Sequence, residues 1–173
     1  MTWIAPEIDR TRQLVVGDER AMLDSFLEHQ RGTLLLKCQG LNGIQLAIRS
    51  AEPSSMSLLG LIRHMTEVER GWFRQTAGGE RVPYAYCADD NLDGDFDDVL
   101  ALAAEHDLDR YREEIALCAK VVADLPLEQT FTHPRSGKEL SLRWIYLHMI
   151  EEYARHNGHA DLLRERIDGV TGL

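Results

Sequence analysis

Cysteine is scarce in this chain of 173 residues. The three that occur, Cys38, Cys87 and Cys118, are odd in number, widely spaced and never in a C-x-x-C pair. That excludes a disulfide framework and a zinc knuckle. They read as buried or neutral thiols, since free cysteine packs as a small hydrophobe. Positive charge is also short: nineteen basic residues stand against twenty-nine acidic ones, a net charge of -10. A nucleic-acid partner needs a basic face, so none is expected. No apolar run approaches the roughly 18 residues of a membrane span, and no membrane partner is expected. The first residues, with Pro6, Glu7, Asp9 and Arg10, lack the basic-then-apolar order of a signal peptide. The expected location is the cytoplasm.

What is present is ordinary globular composition, 44% apolar and 28% charged, enough for one domain over residues 1–173 with a real core. Residues 1–16 read as an extended lead-in. Asp18 can cap a first helix to about Lys37, with Met22, Phe26, Thr33 and Leu34 on one face. Gly40, Asn42 and Gly43 then break the chain before a short helical piece near Gln45 to Arg49. A second long helix is expected from about Ser57 to Ala77, with the stripe Leu58, Leu61, Ile62, Met65, Val68 and Trp72. Residues 78–95, rich in Gly, Asp, Tyr and Pro, read as a long surface loop. Steps of three and four from Leu100 through Leu125 predict one continuous helix from about Asp97. Thr130 to His133 and Glu139 to Leu140 flank Pro134-Arg-Ser-Gly137 as a small hairpin or a turn. The last helix runs from near Ser141 to Gly169. Four long amphipathic helices joined by loops predict an all-α four-helix bundle, up-down, with residues 78–95 as the crossover.

The last helix carries His148, Glu152, His156 and His159 along one side, since neighbours on a helix lie three and four residues apart. Imidazole and carboxylate offered to one point is a metal-site pattern. At about 100° per residue, Glu152 and His156 fall within the apolar arc of Leu142, Ile145, Met149, Tyr153, Ala160, Leu163 and Ile167. His148 and His159 fall at its edge. A buried ionised Glu needs a partner. That partner is a metal or, in the plainer reading, His156 alone. On the second helix His64 lies at the edge of the apolar stripe, with Gly60 and Gly71 leaving room beside it. It is either a satisfied core histidine or the third member of a two-histidine, one-carboxylate set with open coordination positions. His148 and His159 can orient a ligand or move protons at the mouth of the site. His29, His106 and His133 read as surface groups, Trp72, Phe73 and Trp144 as core or pocket wall, and Arg164 to Asp168 as a solvated face.

The segments Leu58-Leu-Gly-Leu-Ile-Arg-His64-Met-Thr-Glu-Val-Glu-Arg-Gly-Trp-Phe73 and Ser141 to Arg164, which contains Glu152-Tyr-Ala-Arg-His156, resemble the DUF664 branch of the DinB-like superfamily. The resemblance spans nearly the whole chain. It implies a four-helix bundle of DinB-like type holding a divalent metal at one end, on a second-helix histidine and an H-x-x-x-H pair of the last helix. Those positions match His64, Glu152 and His156, so a Glu stands where the usual pattern has the first His of the pair. That Glu is similar to the mycothiol-dependent maleylpyruvate isomerase relatives. A carboxylate shifts metal preference toward harder ions. Zinc is the first expectation, with nickel, manganese or iron as alternatives. The resemblance further implies a transferase that presents mycothiol or a similar thiol to a small electrophile, in detoxification, with a homodimer as the candidate assembly. Three other readings share the same residues: a hydrolase using metal-bound water, a non-catalytic bundle that binds a small molecule, and a metal-free protein.

Overall fold

Three polar side chains start three of the long helices in the same way. Asp18 accepts the backbone N–H of Ala21 at 2.9 Å, Ser57 that of Gly60 at 3.0 Å and Ser141 that of Trp144 at 3.2 Å. Each satisfies a donor that the first helical turn leaves free. The computed structural model describes residues 3–172. Its helices are α1 (Glu19–Cys38), α2 (Gly43–Leu46), α3 (Leu58–Glu69), α4 (Gly94–Asp97), α5 (Ala104–Val122) and α6 (Leu142–Asp168). A π-helical segment, Arg70–Ala77, continues α3 without a break, and a 3₁₀ turn, Ala101–Ala103, precedes α5. Two short strands, β1 (Thr130–Thr132) and β2 (Glu139–Ser141), pair antiparallel with Phe131 opposite Leu140. The chain is mostly helical. None of the helices described is long and apolar enough to cross a membrane.

α1 packs along α6 and α3 along α5, while α3 also meets α6 and α1. Leu34, Leu61, Ile62, Met65, Tyr111, Cys118, Met149 and Tyr153 fill the space between them. A polar knot lies in this core. Glu69 is fully buried and takes Arg31 in a two-pronged pair at 2.7 and 2.6 Å. It also accepts the Tyr153 hydroxyl at 2.7 Å, and the Tyr111 and Tyr153 hydroxyls lie 2.8 Å apart. One carboxylate thereby ties α1, α3, α5 and α6 together. A charge so far from water persists only when its oxygens are satisfied in this way.

Several expectations need correction. The first helix buries Leu27, Arg31, Thr33, Leu34, Lys37 and Cys38, while Met22 and Phe26 are only half-buried. The short helix is Gly43–Leu46, earlier than expected, because Asn42 and Gln45 form a reciprocal cap. The second long helix keeps its span but changes winding at Arg70. The third begins at Ala104: Leu100 and Leu102 are 65% and 103% exposed, so the apolar spacing there serves no core. Arg164 is not solvated. It donates to the carbonyls of Lys37 and Gln39 at 3.0 and 2.7 Å, closing the C-terminus of α1. Gly169, at φ 77°, ends α6 in the left-handed conformation that glycine adopts without strain.

Candidate functional site

α3 lays out the site through three polar neighbours. Glu67 Oε1 accepts the backbone N–H groups of Ala85, Tyr86 and Cys87 at 2.6, 2.6 and 3.0 Å. Arg63 donates to the carbonyls of Gly94 and Asp98 at 2.8 and 2.9 Å. The segment after the π-helix is thus not a free surface loop. It is clamped onto α3, and it brings Asp95, 4% exposed, against His64. Asp95 Oδ2 lies 2.8 Å from His64 Nδ1. The neighbouring Phe96 ring sits over Gly60, where an added Cβ would meet Phe96 at 2.8 Å. Phe96 in turn packs on the His64 ring with centroids 5.1 Å apart. The room expected beside His64 is real at Gly60, and Phe96 occupies it.

α6 brings the other half. The rings of His64 and His156 are 4.8 Å apart, edge to face. Glu152 Oε2 stands 3.5 Å from His156 Nε2, and His159 Nδ1 stands 3.4 Å from His156 Nδ1. Both Glu152 and His156 are partly covered rather than deep in the apolar arc, with side chains 21% and 12% exposed. Burial, helped by the charges of His64 and His159, holds the His156 pKa down at about 4. The ring is therefore neutral at pH 7, the form in which imidazole binds metal.

The donor chemistry suits a metal ion. Glu152 Oε2 is buried without a hydrogen-bond partner, its nearest cation being the exposed Arg155 guanidinium at 3.9 Å, so it has room for a closer cation or donor. Two ligands 2.0–2.2 Å from a tetrahedral ion are about 3.4 Å apart, close to the 3.5 Å between Glu152 Oε2 and His156 Nε2. Asp95 occupies Nδ1 of His64 and leaves Nε2 as its free nitrogen, the arrangement by which carboxylates orient metal-binding histidines. Among the described residues no three His, Cys, Asp or Glu side chains yet close on a single point.

His148 is placed elsewhere. It stacks on Trp144, with centroids 4.8 Å apart and planes 10° from parallel, and meets the edge of Trp72 at 4.6 Å. Trp72 also touches His133 at 5.0 Å, so His133 belongs to this aromatic cluster, against its reading as a free surface group. The π-helical winding turns Trp72, Gln75 and Thr76 toward one cavity of about 440 Å³. His64, Asp95, Cys87, Tyr84, His133 and Arg135 line it too. Burial raises the Cys87 thiol pKa, so it is a poor thiolate source.

Sequence reasoning missed Asp95, Glu67 and the hairpin side of the cavity. Asp95 sits in the run Asp93-Gly-Asp-Phe-Asp-Asp98, where nothing distinguishes the one buried acid from its solvated neighbours. Spacing alone does reach His64, Glu152 and His156, which lie on regular helices.

The sequence profile of the mycothiol-S-transferases matches residues 22–169, taking in all but the first turn of α1, the whole of α2 through α6 and every site residue named above. This chain belongs to the mycothiol-S-transferase family. It is a DinB-like protein, and the family name points to a small thiol and a transfer reaction. A search of curated proteins finds no match to the chain.

Proposed function

We propose that this chain is a metal-dependent S-transferase that joins mycothiol, or a similar low-molecular-weight thiol, to a small electrophile in a detoxifying role. The supporting observation is the cavity of about 440 Å³ lined by His64, whose ring packs against that of His156 at 4.8 Å, in a chain of this family. The packing of α1 with α6 and of α3 with α5 fits a four-helix bundle whose crossover is the segment that delivers Asp95.

His64, Glu152 and His156 would hold the ion, zinc first among the divalent candidates. A divalent ion there supplies the charge that keeps a coordinating thiol in its thiolate form at neutral pH. Asp95 fixes which nitrogen of His64 faces the site. The half-buried position of His156 keeps it unprotonated. His159, in contact with His156, stands at the rim where a proton from the incoming thiol can pass to water. His148 packs against both Trp72 and Trp144, which also touch each other, so its part is to hold the aromatic wall.

The test is incubation of metal-loaded protein with an aryl halide, with and without mycothiol. Conjugate formation that requires both thiol and metal is the expected result, falling at least 100-fold in Glu152→Ala and His156→Ala. Turnover of an ester or amide without thiol would make the protein a hydrolase. Equal, negligible metal content in wild type and His156→Ala, after purification without a metal-affinity tag, would remove the metal centre altogether.

A further inference from the structure

The cavity beside His64 carries three formal charges besides its histidines: Glu67, Asp95 and Arg135. The two acids are already engaged. Glu67 is taken by three backbone N–H groups, and Asp95 accepts from His64 and from the N–H of Phe96 at 3.0 Å. Arg135 differs. It has no carboxylate partner among the described residues, and its guanidinium donates to the Tyr84 hydroxyl while lying 5.7 Å from the centre of that ring.

The hairpin holds Arg135 in place. The N–H of His133 donates to Lys138 O at 2.8 Å, that of Gly137 to His133 O at 2.9 Å and that of Ser136 to His133 Nδ1 at 3.1 Å. Gly137, at φ 67°, allows the tight return. The His133 ring against Trp72 fastens the turn to the π-helical segment. Trp72 lies eight residues beyond His64 on one helical run, a separation on the order of 10 Å at 1.5 Å per residue. An arginine fork on an aromatic-walled cavity, in a chain of net charge -10, is a device for a planar ligand with an anionic end.

Building on the transferase reading, we propose that Arg135 selects the electrophile: it binds a carboxylate on a planar substrate whose apolar part lies along Trp72. Arg135 is a specificity residue and touches no reacting atom. In the probe reaction the thiol sulfur bonds to the aryl carbon, the carbon–chlorine bond breaks, chloride leaves and the thiol proton passes to water.

Two measurements test this on the full chain loaded with zinc. The first is binding of 4-nitrobenzoate and of nitrobenzene, followed by tryptophan fluorescence, in wild type, Arg135→Ala and Arg135→Lys. The benzoate should bind wild type more tightly than the neutral compound. Arg135→Ala should weaken the benzoate at least tenfold more than nitrobenzene, and Arg135→Lys should weaken it less than Arg135→Ala. The second is the ratio of kcat/KM for 4-chloro-3-nitrobenzoate over 1-chloro-2,4-dinitrobenzene with mycothiol, which should fall tenfold or more in Arg135→Ala. Equal weakening of both compounds, no weakening, or a rise confined to the KM for mycothiol would each overturn the assignment. If the binding preference disappears in Arg135→Ala but no thiol conjugate forms with either electrophile in wild type, the transferase reading fails while the anion site stands. If conjugates form and the ratio does not move, the anion site fails while the transferase stands.

Discussion

Asp95 Oδ2 approaches His64 Nδ1 to 2.8 Å from a position eighteen residues after His64's own helical run has ended at Ala77. The bond leaves Nε2 as the free nitrogen of a ring that packs against His156. Asp95→Asn retains the size but removes the charge. We expect it to weaken zinc affinity about 10- to 100-fold, with the helical circular dichroism unchanged. Competition against a chromogenic chelator measures this. Wild-type affinity in Asp95→Asn would mean that His64 needs no orienting partner.

The polar knot at Glu69 predicts a different kind of loss. Arg31→Met leaves a fully buried carboxylate with the Tyr153 hydroxyl as its side-chain donor, and breaking a buried pair from one side costs about 3–5 kcal/mol. Tyr153→Phe removes one donor while Arg31 stays, and about 1.5 kcal/mol is expected. Urea unfolding of the two variants should rank them in that order. Should Arg31→Met lose less than Tyr153→Phe, the pair is not what holds Glu69 in the core.

The cysteines predict a labelling pattern. Burial pushes the Cys38 thiol up to about 12 and raises Cys118 further. At pH 8 a thiol of pKa 12 is thiolate in only about one molecule in 10⁴, and neither side chain is accessible. Cys87 is half-buried on the cavity wall. A disulfide reagent at pH 8 should therefore label one thiol slowly in the folded protein and all three in urea. Cys87→Ser should abolish the folded-state labelling. Fast labelling of a second cysteine would show that α1 or α5 opens more readily than their packing suggests.

The helices that carry His64, Glu152 and His156 are legible because their spacing repeats every three to four residues and their caps are Ser57 and Ser141. Periodicity over-reaches at Leu100, where the step of four to Ala104 extends the register before the start of α5 into solvent. It was also blind to the π winding at Arg70, since apolar spacing changes little when one hydrogen-bond register widens. Asp95 had no local signal. Its burial follows from contacts that Arg63 and Glu67 make 18 to 35 residues away, and such pairings leave no periodic trace. The same holds for Arg164, which reads as part of a charged face until the end of α1 is seen beneath it.

Gly60 links the frame to the site, and its replacement is the most demanding test of the arrangement. A methyl group there would stand 2.8 Å from Phe96 Cδ1 and 3.2 Å from Ser57 Oγ, which caps the same helix. Phe96 cannot retreat alone: it follows Asp95 directly, and its ring rests on His64. Gly60→Ala improves helix propensity by roughly 1 kcal/mol, so a stability gain is the outcome if the site plays no part. The opposite is expected here. Relief of the clash must move Phe96 or the Ser57 cap, for a net loss of about 1–2 kcal/mol. If Phe96 moves, it carries Asp95 away from His64 and zinc affinity should fall with stability, by tenfold or more. Thermal unfolding and zinc competition on Gly60→Ala, alongside Phe96→Ala/Gly60→Ala, separate the two effects. The double variant should recover room for the methyl group without recovering the stacking on His64. A Gly60→Ala protein that is more stable than wild type and binds zinc as tightly would show that Phe96 and Asp95 move independently of α3.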